Sequence, residues 1–227
     1  MVEMCRSHLV GENKKFRVIV PNIAKSAATV FALGADKIIM GYCSELGPID
    51  PQITVVVSGM YQMISAFSFV EARDNLLDEI EKSIAKKETP TGAITQLAGL
   101  NIPFTLEMEN VIYFAGQTAT RLLDRYMLKA SISDKRRRAT KAKQIAKKLL
   151  SKEVFPVHGH FINALTARDI LKLEVEVLEK TSELWQLIWE YYLRCEVQMN
   201  IPLGPNVSKI KLFESSDQSL ITPDTGS

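Results

Sequence analysis

Cysteine is scarce in this chain: three in 227 residues, Cys5, Cys43 and Cys195, odd in number and widely spaced. That pattern argues against a disulfide framework and a zinc cage and fits a reducing compartment, so a cytoplasmic location is expected. Histidine is equally rare, with three copies. An excess of one charge is missing as well: 28 Lys and Arg face 26 Asp and Glu, for a net charge of +2. Nothing global draws the chain to nucleic acid or to an anionic membrane, and any basic preference must be local. No run reaches the roughly 18 uninterrupted apolar residues of a membrane span, and the N-terminus lacks the basic, apolar, small-residue order of a signal peptide. What is present is core material. With 46% hydrophobic residues the chain can bury one large domain.

The order of elements is legible in outline. "FRVIV" at 16–20 is short, β-branched and bounded by two lysines and a Pro-Asn pair, which suits a buried strand. Residues 27–35 are apolar nearly all round, so the helix they form is enclosed. "KIIM" at 37–40 is a second buried strand, and "SELGPIDPQI" reads as a loop. Strand, helix, strand implies a parallel sheet with helices against it. Val70, Leu76, Leu77, Ile80 and Ile84 then recur at threes and fours, predicting an amphipathic helix over 65–87. "TPTGAITQLAGLNIPF" breaks it; a helix from about residue 105 and another over 134–150 follow. Beyond "FPVHGHFI" come a short helix near 164–171 and an edge strand in "KLEVEVLEK", where Leu173, Val175 and Val177 alternate with glutamates. The last helix starts at "KTSEL", capped by Thr181 or Ser182, and is expected to bury Leu184, Trp185, Ile188 and Tyr192. Trp185 and Trp189, four apart, share a face that packs either within the chain or on a neighbouring subunit. From residue 202 on, the composition suggests a loosely held tail.

The chemistry begins at Ser26, which leaves a strand and enters a helix. At that place free N–H groups and the helix dipole favour a developing oxyanion, which suits a nucleophile. The commoner role for a serine there is a helix cap. The longer segment "IVPNIAKSAATVFALGADKIIMG", followed by "SELGPIDPQI", closely resembles the serine dehydrogenase proteinase family, which is similar to the Clp proteolytic subunit and to signal peptide peptidase A. Ser26 is followed by Ala27-Ala28 and, ten positions on from the serine, by Asp36 of an Ala-Asp pair, as in the signal peptide peptidases. "FPVHGHFINALTARDI" and "LWQLIWEYYLRCEVQM" extend the likeness to about residue 215.

The resemblance implies an α/β, crotonase/ClpP-like parallel sheet with packed helices. It divides the chain into a catalytic core over 1–60, a helical insertion over 61–152, a return to the core over 153–215 and a disordered tail over 216–227. It implies a serine peptidase with a Ser, Asp, His triad: Ser26 as nucleophile, His158 as base, Asp50 as the orienting carboxylate, and the Ala27 N–H as an oxyanion donor. Asp36 is the alternative acid. His158 and His160, two apart, point to opposite sides of an extended segment, so at most one of them can face Ser26. No cofactor or metal is implied; the partners are a peptide or protein substrate and further copies of the chain. Relatives carry an upstream Gly-Gly turn that supplies a second oxyanion donor, and this sequence has no Gly-Gly. Either the chain is truncated or that part is dispensable, and an N-terminal membrane anchor of a longer form would lie there too.

Three further readings compete. A Ser-Lys dyad would use Lys82, Lys86 or Lys87, although all three sit on a charged helix face. Residues 135–152 hold nine Lys and Arg and no acid, a run that attracts phosphate but lacks the aromatic interleaving of single-strand binding and more commonly forms a solvated helix face. The third is a catalytically impaired family member acting as an oligomeric scaffold.

Overall fold

The computed structural model describes residues 1–9, 14–200, 210–214 and 219–223. Its centre is a small parallel sheet in the order β1-β3-β8. β1 (Arg17–Val20) and β3 (Lys37–Met40) run side by side with Val18 opposite Ile38. β8 (Val175–Val177) adds to the other edge of β3, Ile39 opposite Glu176. The β-branched run and the alternating "LEVEV" both become strands of one sheet, the second as its half-exposed edge. Between β1 and β3 the chain makes the two-residue strand β2 (Ile23–Ala24) and helix α2 (Ala27–Leu33). β2 joins β4 (Glu45–Leu46) in parallel, and β4 pairs antiparallel with β7 (Ile162–Asn163). This second little sheet brings the start of α2, the 45–50 segment and the 157–163 segment to one place.

Helices supply most of the rest. A short N-terminal helix, α1 (Val2–Ser7), lays Val2 on Gly34, where a Cβ would stand 2.6 Å from Val2 Cγ1. α3 (Ala66–Ala85) covers the expected 65–87 stretch, but Leu77 and Ile84 of its apolar face are exposed. α5 (Ile102–Arg125), capped by the Asn101 side chain, spans about 36 Å at 1.5 Å per residue. Its C-terminal half buries Ala119, Leu122 and Leu123 in the same core as Val20, Ile38 and Met40. α6 (Lys135–Leu150), capped by Asp134, contributes Ala142, Ile145 and Leu149 to that core and turns most of its lysines and arginines outward, while Arg138 is held inside by Asp124 at 3.0 Å. Strands and the central helices thus bury one continuous set of side chains. The short helix near 164–171 is present as a π-helical turn over Thr166–Ile170.

Four expectations are corrected. The "SELGPIDPQI" loop leads directly into a hairpin, β5 (Gln52–Val57) and β6 (Met60–Ser65). Its two-residue turn, Ser58-Gly59, has φ of 52° and 79° at its residues, as the right-handed twist of a tight hairpin requires. The break over 89–104 contains a helix of its own, α4 (Thr91–Ala98). In α7 (Glu183–Met199) Trp185 is buried, but Leu184 is 52% exposed. Within the expected loose tail, β9 (Ile210–Glu214) and β10 (Ser219–Pro223) pair antiparallel, while 216–218 and 224–227 of the disordered-tail assignment lie outside the described residues. Among the described residues no helix is long and apolar enough to cross a membrane.

Candidate active site

Ser26 occupies the position before α2 where a capping serine belongs, yet its side chain makes no capping bond. Its backbone sits at φ 52°, ψ −116°, a region that costs a non-glycine residue about 1–3 kcal/mol and survives only where the surroundings impose it. Such a sharp strand-to-helix turn pushes a serine hydroxyl outward instead of folding it back on the helix. Ala27 begins the helix, so its N–H has no intrahelical acceptor. The next amide, Ala28 N–H, donates to the Lys25 carbonyl at 3.0 Å. Thr29, which the sequence alone did not single out, secures the turn from below. Its buried hydroxyl lies 2.7 Å from the Ala24 carbonyl and accepts the Gly47 N–H at 3.1 Å, tying α2 to the segment that leads to Asp50.

Asp50 and His158 meet across 108 positions of chain: Nδ1 of the imidazole is 2.7 Å from Asp50 Oδ1. A carboxylate only accepts, so Nδ1 carries the proton and Nε2 is left as the basic nitrogen. Asp50 is 5% exposed, and its other oxygen accepts from Gln52 Nε2 at 2.8 Å and Ser65 Oγ at 3.3 Å. Both donors belong to the base of the β5–β6 hairpin, which therefore orients the acid.

The ring of His158 forms no hydrogen bond with Ser26; its partner is Asp50. Catalytic contacts of this kind are often long before substrate binds. The two segments are nevertheless tied together, because Lys25 Nζ donates to the Gly159 carbonyl at 2.9 Å. His160 has a different neighbour, its ring 5.2 Å from that of Phe155. Asp36 lies elsewhere: Oδ1 takes Arg6 Nη2 at 2.8 Å and Oδ2 takes the Phe16 N–H at 2.7 Å, so both oxygens pin α1 and the start of β1. Lys82 is held by Asp78, and that hydrogen bond raises its pKa, the opposite of what a lysine base needs. Among the described residues no three or more His, Cys, Asp or Glu side chains gather as a metal site would require.

Residues 3–97 match the model of the ClpP-like SDH-type serine proteinases, which bears out the family resemblance over that stretch and supports a hydrolase family. The chain is also similar to an uncharacterized protein of Methanocaldococcus jannaschii, 45% identical over 75 residues that cover 31% of this chain and 24% of that protein. It thus spans about a quarter of the length of the curated relative it matches. No solved structure gives a significant match.

Proposed function

We infer, from a chain whose residues 3–97 match the ClpP-like SDH-type serine proteinases, that it hydrolyses peptide bonds through an acyl-enzyme on Ser26. The observation that carries this reading is the 2.7 Å contact of His158 Nδ1 with the buried Asp50 carboxylate. A paired carboxylate fixes the ring and its tautomer, leaving Nε2 to accept a proton. Ser26 Oγ attacks the carbonyl carbon of the substrate as its proton passes to Nε2. The Ala27 N–H donates to the oxyanion that forms. Collapse of the tetrahedral intermediate breaks the C–N bond, and the imidazolium returns the proton to the departing amine. Water, deprotonated by the same nitrogen, then releases the acid and restores the Ser26 hydroxyl.

The finer architecture belongs to the same reading: a crotonase-like parallel sheet with 61–152 inserted between the acid and the base. The substrate is a polypeptide.

Incubation with a fluorophosphonate probe tests the assignment. The native chain is expected to label and Ser26→Ala is not; equal labelling of the two would remove Ser26 from the mechanism. Asp50→Asn leaves the ring without its carboxylate and is expected to slow labelling by up to about 10⁴-fold, the cost seen when a triad carboxylate is neutralised.

A further inference from the structure

Lys25 precedes the proposed nucleophile, yet its side chain leaves the turn and lies across two other segments. Its methylene stem rests on Gly47, where a Cβ would come within 2.8 Å of Lys25 Cγ. Its ammonium donates to the Gly159 carbonyl at 2.9 Å and stands 4.6 Å from the Phe161 ring centroid. Glu45 Oε2 is 3.6 Å away, and among the described residues that oxygen is buried with no hydrogen-bond donor, so the Lys25 charge balances it. Gly47 leads to Asp50, and Gly159 follows His158. One side chain therefore touches the segment that carries the acid and the segment that carries the base, while its own backbone leads into Ser26.

The geometry points to Lys25 as a positioning residue that holds the His158 and Asp50 segments onto the nucleophile turn. This rests on the reading of Ser26, His158 and Asp50 given above. Lys25 does not act as the base, since Nζ is turned to a backbone carbonyl and a carboxylate and is occupied in joining them. Small displacements of a base matter: a shift of about 1 Å can cost on the order of 10²-fold in rate.

The test combines hydrogen exchange over residues 157–161 with the rate and pH profile of fluorophosphonate labelling, on the full chain. Lys25→Met strips Glu45 of its counter-charge, so it is paired with Glu45→Gln, and exchange of the α5 and α6 amides verifies that the core is intact. The double variant is expected to exchange faster over 157–161 and to label on the order of 10²-fold more slowly, with the shape of the pH profile unchanged. Lys25→Arg, which keeps a cation and a donor, is expected to recover most of the rate. Unchanged exchange in the double variant overturns the proposal whatever happens to labelling, and so does loss of one limb of the pH profile, which would make Lys25 a titrating participant. If the native chain does not label while the double variant still loosens 157–161, the hydrolase reading fails and the clamp stands.

Discussion

A serine before a helix is ordinarily a cap, and at Ser26 the difference between cap and nucleophile is a backbone angle. With φ at 52° the hydroxyl is carried away from the amides it would otherwise satisfy. No pattern of residue types announces that angle, because serine fits either conformation and only the surrounding contacts, Thr29 to Gly47 among them, impose the strained one. The strain is measurable. Ser26→Gly removes the Cβ that this region penalises, whereas Ser26→Ala keeps it, so the glycine variant is expected to be the more stable of the two by about 1 kcal/mol in urea unfolding. Alanine equal to or above glycine would show that the backbone at 26 relaxes once the hydroxyl is gone. Asp50 is legible as a candidate but its burial is not, since the two donors that hold Oδ2 come from a hairpin whose exposed apolar residues carry no burial pattern.

At the scale of elements, periodicity finds those that face one core and misses those that do not. β1, β3, α5 and α6 place apolar residues against a shared interior, and their patterns are clear. The β5–β6 hairpin carries Val56, Tyr61 and Met63 exposed on one face, so hydrophobic residues there report no burial and periodicity assigns the run beyond Ile53 to no element. α4 hides inside a Pro- and Gly-bounded stretch for the same reason: it buries only Ala93. α7 shows a close approach that composition cannot reveal. Gly41, at the end of β3, faces the Trp185 indole, and an added Cβ would lie 2.1 Å from Cζ2. Trp185 and Trp189 stack at 6.2 Å, so the inner part of this aromatic face packs within the chain. Gly41→Ala is expected to push α7 off the sheet, at a cost of about 1–3 kcal/mol for overpacking, seen as a lower Tm with changed tryptophan fluorescence. An unchanged emission spectrum and Tm would mean that α7 does not depend on this contact.

Across the whole molecule, residues far apart in sequence close the structure. α1 is tied to the end of α5 by Glu3, whose carboxylate accepts from the Tyr126 hydroxyl and pairs with Arg125 Nη1 at 2.9 Å. The Tyr126 hydrogen bond, followed by Arg125 and its basic neighbours against an opposing effect of burial, holds the Glu3 carboxyl below its usual range. A lowered pKa in the folded state contributes stability that is complete above the unfolded value and is lost as pH falls through the folded one. The difference in urea midpoint between the native chain and Glu3→Gln is therefore expected at neutral pH, to shrink with added salt, and to vanish in acid. A difference that persists in acid would assign the effect to packing and not to charge.

Taken by itself, the amino-acid order determined the strand-helix-strand unit and the long helices, the last of them capped at Thr181 or Ser182, and its family resemblance marked Ser26, His158 and either Asp50 or Asp36 as the residues to watch. These are local properties, written in periodicity, capping chemistry and motif. Only the tertiary structure decided which carboxylate meets the imidazole, sending Asp36 to Arg6 and Asp50 to His158, and which lysine reaches both loops. The Asp50 and Lys25 pairings depend on the closing of segments more than a hundred positions apart, and that closing is set by one shared core and two short β-ladders, not by any residue's neighbours in sequence.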